Sequence, residues 1–85
     1  MESTTQIVQT VSARQFRAAR ALLGWTLEEA ATHCRVGRAT MGRLERGDSQ
    51  LIERTVHDIV GGFERHGVRF FDNETGQGVA IREME

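Results

Sequence analysis

Two helix-start signals lie fourteen residues apart near the front of this chain, and they constrain its fold more than any other feature. Ser12 and Gln15 form an S-x-x-Q capping box, and Thr26 and Glu29 form T-x-x-E. In such a box a hydroxyl and an amide or carboxylate each satisfy an otherwise orphaned backbone N–H, so the pattern marks the first turn of a helix. Val11 and Phe16 flank the first box, and Trp25 and Ala30 the second, at the positions of a hydrophobic staple. Gly24 stops the first helix, whose Phe16, Ala19, Leu22 and Leu23 share one face. The second helix covers Leu27 to His33.

The same reading continues along the chain. A Cys34-Arg35-Val36 turn leads to a third helix over Arg38 to Arg46, stopped by Gly47, with Met41 and Leu44 facing inward and Val36 beneath them. After the Asp48-Ser49-Gln50 loop, Ile52, Val56, Ile59, Val60 and Phe63 make the stripe of an amphipathic helix over Ile52 to His66. Gly61 and Gly62 lie inside it and each costs roughly 1 kcal/mol relative to alanine. They are there either to permit close packing or as tolerated weak points, and both readings stand. Beyond Gly67 the period changes to two. Val68–Phe71 and Val79–Arg82 read as strands joined by the turn-rich residues 72–78. The β-branched residues of Gln6–Val11 give the tail, residues 1–11, the composition of a further strand. The expected fold class is mainly α, with four to five helices over residues 12–66 and a C-terminal β-hairpin over 67–85.

Composition narrows the function classes. A chain of 85 residues is one domain with a small core. One cysteine excludes an intramolecular disulfide and a Cys-rich zinc site. No apolar run approaches the ~20 residues of a membrane span and no signal peptide opens the chain, so a cytoplasmic protein is expected. Charge is unevenly spread. Residues 12–46 carry seven arginines against three acids, a balance of +4, whereas residues 47–85 carry four arginines against eight acids, a balance of −4. One face suited to a polyanion and another turned from it fits that split.

Two short capped helices joined by a tight turn, the second rich in arginine, describe a helix-turn-helix. The stretch QFRAARALLGWTLEEAATHCRVGRATMGRLERG, from Gln15 to Gly47, resembles the Xre-type, phage-repressor-like helix-turn-helix family. The matching features are R-x-x-R-x-L-L-G-W-T in the first helix, E-E-x-A in the second and V-x-R-A-T-M-x-R-L-E-R-G through the third. The resemblance covers residues 13–66 and is concentrated in 34–47. It implies that the third helix is the recognition helix in the major groove of double-stranded DNA, with Arg38, Ala39, Gly42, Arg43 and Arg46 outward. Arg38 and Arg43 are then candidates for guanine edges, which arginine grips bidentately, and Ala39 for a thymine methyl. Gly42 would let the helix sit deep. Thr26, Thr40 and the amides near Gly37 suit phosphate. Arg20 and Glu45 match a buried ion pair of the family. Three positions depart from its pattern. Arg35 stands where the turn has glycine, and its side chain has phosphate within reach. Gly37 replaces a Ser or Thr cap, and Leu27 replaces a polar residue that touches the DNA backbone. Base specificity therefore does not transfer from relatives.

Other features weigh less. His33 beside Cys34 has the look of a metal pair, but His57 and His66 are distant in sequence without ligand spacing, so a buried thiol and surface histidines are expected, with no metal and no cofactor. Trp25 is expected as a core plug. No Ser-His-Asp or Cys-His arrangement and no phosphate-binding glycine loop occurs, which argues against an enzyme. The expected function is a sequence-specific DNA-binding transcriptional regulator, a repressor that binds a two-fold operator as a homodimer. The alternative is a protein-interaction module, such as the antitoxin of a toxin–antitoxin pair, with a protein partner. An isolated hairpin is marginal in water, so Phe63, Val68, Phe70, Phe71, Val79 and Ile81 are the expected dimer contact.

Overall fold

The computed structural model describes residues 11–48 and 50–82. Helices α1 (Ala13–Leu23), α2 (Leu27–Cys34), α3 (Arg38–Glu45) and α4 (Glu53–Glu64) precede an antiparallel hairpin of β1 (Val68–Asn73) and β2 (Gly76–Ile81). Both capping boxes form as read. The Ser12 hydroxyl accepts from the Gln15 amide at 3.2 Å while Gln15 Oε1 accepts from Ser12 N at 2.8 Å, and Thr26 and Glu29 do the same at 3.1 and 2.8 Å. Gly24, at φ +70°, ends α1 in the left-handed conformation that glycine adopts without a Cβ clash.

The core lies where the four helices meet the first strand. Phe16 and Ala19 come from α1, Ala30, Ala31 and Cys34 from α2, and Met41 and Leu44 from α3. Ile59, Val60 and Phe63 come from α4, and Val68 from β1. Phe16, Phe63 and Phe70 pack around one another in tilted and edge-on pairs, with ring centroids 5.4–6.1 Å apart. The alanines of α2 let α4 approach closely, and Gly62 completes that approach: a Cβ there would lie 2.8 Å from Cys34 Sγ and 3.1 Å from Cys34 Cα. Gly61, its neighbour, meets nothing closer than the tip of Arg65 at 3.7 Å. The two readings of the glycine pair therefore divide, close packing at Gly62 and a tolerated gap at Gly61.

The hairpin is longer than its hydrophobic residues suggested. Pairing runs from Val68↔Ile81 to Asn73↔Gly76, leaving only Glu74 and Thr75 as the turn in place of a seven-residue connection. Asn73 Oδ1 accepts from the Thr75 amide at 2.9 Å, and Gly76 at φ +130° supplies backbone that a side chain would strain. Opposite Phe71 stands Gly78, and the ring occupies the space a Gly78 Cβ would take, 2.5 Å from two ring carbons. The aromatic ring thus covers the bare glycine backbone across the pair.

Gln15 joins helix to hairpin. Its Nε2 donates to the carbonyls of Phe71 and Gly78, both at 3.0 Å, and the Ser12 hydroxyl donates to Gln77 Oε1 at 2.9 Å. One buried amide therefore caps α1 and clamps both strands.

Several expectations are corrected. Leu22 is 45 % exposed, because α1 turns its Phe16–Ala19 face to the core and leaves Leu22 off the edge. Ile52 precedes α4 as its N-cap and is 66 % exposed, so the buried stripe begins at Val56, which packs against the core. Phe63 and Val68 are fully buried within the chain's own core and have no surface for a second copy. Phe70 and Val79 pack against that core as well. The strand expected over Gln6–Val11 lies outside the described residues except for Val11, which packs against the core. Among the described residues no helix is long and apolar enough to cross a membrane.

Candidate nucleic-acid interface

The unit that α2, its turn and α3 compose is set by local chemistry. At the end of α2, Arg35 N donates to Thr32 O at 3.2 Å and Val36 N to Ala31 O at 3.0 Å, the crossed pair of a Schellman closure. That closure requires left-handed backbone at Arg35, which sits at φ +62°. Arginine here adopts the conformation the turn needs, at a strain cost that glycine would not carry. Its side chain is exposed. Gly37 then begins α3 without a side-chain cap, so the first amides of α3 have no side-chain acceptor.

α3 is anchored on one face by Met41 and Leu44 and on another by Glu45. Arg20 of α1 grips Glu45 with two parallel hydrogen bonds, Nε to Oε2 at 2.7 Å and Nη2 to Oε1 at 3.0 Å. This is the ion pair the resemblance implied. Hydrogen bonding to Glu45 holds the Arg20 guanidinium above its ordinary pKa. Arg17 Nη1 also donates to the Glu45 carbonyl. Two arginines of the basic half thus fasten α3 to α1.

On the opposite side Arg38 and Ala39 are exposed, Thr40 and Arg43 are half-buried, and Arg46 at the C-cap is exposed. Gly42 is buried rather than outward. The Arg46 guanidinium lies across it, 3.2 Å from where a Cβ would be, and Leu27 Cδ2 lies 3.8 Å from the same point. The absence of a side chain at Gly42 thus leaves room for the Arg46 guanidinium beside α3. Thr26 and Gly37 are exposed at the starts of their helices. Arg43 Nε donates to Asp48 Oδ2 at 2.9 Å, a pairing sequence reading missed because Asp48 sits in the loop beyond the motif. The Asp48 carboxyl lies below the usual carboxylate range because the Gln50 amide and then Arg43 hydrogen-bond to its charged form.

The histidines gather differently from the sequence expectation. His33 stacks on Trp25 at 4.3 Å, and His66 meets both rings edge-on at 4.7 and 4.9 Å. His66 Nδ1 donates to the Gly62 carbonyl at 2.9 Å. The two histidines are 33 positions apart in sequence and adjacent in space, because Trp25 and Gly62 bring α2 and the end of α4 together. Trp25 also packs on Phe63 at 5.7 Å, as a plug would. Cys34 faces α4, its thiol 3.7 Å from the Ile59 carbonyl, and burial pushes it up to about 11. Among the described residues no three His, Cys, Asp or Glu side chains gather around a common point for a metal.

Comparison with curated proteins finds no match. The model of a helix-turn-helix domain family matches residues 13–67, from the first residue of α1 to the glycine that opens the hairpin, and the chain belongs to that family.

Proposed function

We propose that this chain is a sequence-specific transcriptional regulator of Xre type, a repressor that reads a two-fold DNA operator as a homodimer with α3 in the major groove. The observation that carries the reading is the division of α3. Met41, Leu44 and Glu45 hold it to the body, and Arg38, Ala39, Arg43 and Arg46 remain on its other side. Arg38 and Arg43 read base edges in this arrangement. Arg35, Thr26, Thr40 and the uncapped amides after Gly37 take phosphate, since unpaired helix-start amides and arginine both suit an anion. Arg46, lying over Gly42, borders the same surface. A lone helix makes few base contacts, and a two-fold dimer doubles them at half-sites about 34–36 Å apart. Phe71 and Ile81, 41 % and 39 % exposed on the hairpin, are the apolar residues left for the dimer contact.

The test is Arg43→Ala, measured on a duplex enriched from a random pool by the wild-type chain and on a random-sequence duplex. A loss of about 1–3 kcal/mol on the enriched duplex, and less on the other, is expected for a guanine contact. Wild-type affinity should fall with salt at a log–log slope near −5 to −7, for about 6–8 phosphates. A flat salt dependence would refute DNA binding, and equal losses on both duplexes would make Arg43 a phosphate contact.

A further inference from the structure

Asp48 lies outside the helix-turn-helix motif, yet its carboxylate is bound to a residue of the recognition helix. Oδ2 accepts from Arg43 Nε at 2.9 Å, and Oδ1 accepts from the Gln50 amide at 2.8 Å. The Asp48 amide in turn donates to the Arg43 carbonyl at 3.0 Å. Both carboxylate oxygens and the backbone amide of Asp48 thus have hydrogen-bond partners, two of the three bonds being to Arg43. The bond uses only Nε, at the inner edge of the guanidinium. Among the described residues neither Nη group of Arg43 has a hydrogen-bond partner, and the side chain is 42 % exposed. Those two Nη groups form one edge of the planar guanidinium, whose donor fork matches the O6 and N7 acceptors of guanine.

An unbraced arginine would lose rotamer freedom on reaching a base, whereas a braced one has already lost it. The brace has a second effect. A carboxylate beside a DNA-facing surface repels phosphate, so it lowers affinity for every duplex alike. Arg46 lies close enough to offset part of this charge. An acid that weakens general binding while orienting one base-reading side chain favours discrimination over affinity. We infer that Asp48 is a positioning residue that holds the Arg43 guanidinium with its free edge presented to a guanine, and so sets the base discrimination of this chain. The inference rests on the DNA-binding reading above.

Asp48→Asn tests it. Asparagine keeps the size and one carbonyl oxygen for the Gln50 amide, but removes the charge and the second acceptor. The full chain is titrated by fluorescence anisotropy, at one salt concentration, with a wild-type-enriched duplex and a random-sequence duplex of equal length. The ratio of the two affinities should fall about tenfold, within the range a bidentate arginine–guanine pair supplies, while binding to the random duplex holds or tightens. Arg43→Lys, which has no Nε to brace and no fork, should lose the same discrimination without touching the Asp48 turn. A second readout replaces each guanine of the enriched duplex in turn by 7-deazaguanine, which lacks N7. Wild type should weaken at the contacted guanine, and Asp48→Asn should weaken there far less. If Asp48→Asn lowers both affinities equally, or keeps full sensitivity to 7-deazaguanine, the positioning role is wrong and the DNA reading survives. If the wild-type chain enriches no duplex from the pool, the DNA reading falls and takes the inference with it.

Discussion

Alanine at Gly61 and at Gly62, neighbours in α4, should change stability in opposite directions. In a helix interior alanine is better than glycine by about 1 kcal/mol, because glycine loses more backbone freedom on folding. At Gly61 nothing offsets that gain, since the nearest atom is the flexible tip of Arg65 at 3.7 Å. Gly61→Ala should therefore stabilise by about 0.5–1 kcal/mol. At Gly62 the new methyl would sit 2.8 Å from Cys34 Sγ and 3.1 Å from both Cα and Cβ of Cys34, whereas carbon atoms pack at about 3.5–4.0 Å. A rotation of the cysteine cannot relieve contacts to its Cα and Cβ, so α2 and α4 must separate by roughly half an ångström or more. Overpacking of this kind costs about 1–3 kcal/mol, and with the backbone involved the net loss after the helix gain should be about 1–2 kcal/mol. For a domain of this size a kilocalorie moves the melting temperature by about 4–8 °C. Gly61→Ala should then melt about 2–8 °C higher and Gly62→Ala about 4–16 °C lower. Thermal and urea unfolding followed by circular dichroism read both. Adding Cys34→Ala should return only part of the Gly62→Ala loss, because removing the sulfur leaves the Cα and Cβ contacts. A neutral or stabilising Gly62→Ala would refute the argument that α2 and α4 are in contact at that point.

Three further outcomes follow from named contacts. Arg35→Gly should stabilise the fold by up to about 1 kcal/mol, since glycine adopts the φ +62° of this turn without strain while adding freedom to the unfolded chain; the same variant should weaken binding to specific and random duplexes alike, and a loss of stability would show that the arginine side chain holds the turn. The Cys34 thiol, pushed up to about 11 by burial, is neutral in the folded chain where an unfolded thiol ionises near 8.5; its contribution to stability is present below that pH and lost as pH rises towards 11, a loss that Cys34→Ala should remove, and rapid alkylation of the folded chain at pH 8 would contradict the burial. Ile81→Lys should weaken self-association in sedimentation equilibrium with little change in melting temperature, whereas an unaltered dimer would place the interface away from the hairpin.

What could be read in advance was local. The two capping boxes, the Gly24 stop and the inward Met41 and Leu44 are patterns within a few residues, and each appears where its spacing put it, whereas α4 ends at Glu64, short of the expected stop at Gly67. The Arg20–Glu45 pair was legible only through the family resemblance, because nothing near either residue announces the other. What could not be read depends on which elements meet. Gly61 and Gly62 are alike on the sequence, and only the approach of α2 separates them. Residues 72–78 have turn composition, so the added strand length was hidden. It exists because Phe71 covers Gly78 and Gln15 binds both carbonyls. Phe63 has the hydrophobicity of an interface residue and of a core residue alike, and its position under Trp25 and Phe16 decides for the core. Asp48 escaped notice at the site because the arginine that holds it was read only as facing outward.

The Gln15 amide has a consequence for how the molecule opens. Two-stranded hairpins fray readily when unsupported, and helix starts fray too. Here the cap of α1 and the carbonyls of Phe71 and Gly78 are bound to one side-chain amide, so neither frays without releasing the other. In native-state hydrogen exchange the first turn of α1 and the middle of the hairpin should behave as one cooperative unit, with a shared opening free energy, although 56 and 63 residues separate the partners in sequence. α1 also carries Arg17 and Arg20, which hold Glu45 at the end of α3. Chain closure at the hairpin is therefore linked, through α1, to the support of the last turn of α3, and the middle of the hairpin should exchange no faster than the first turn of α1.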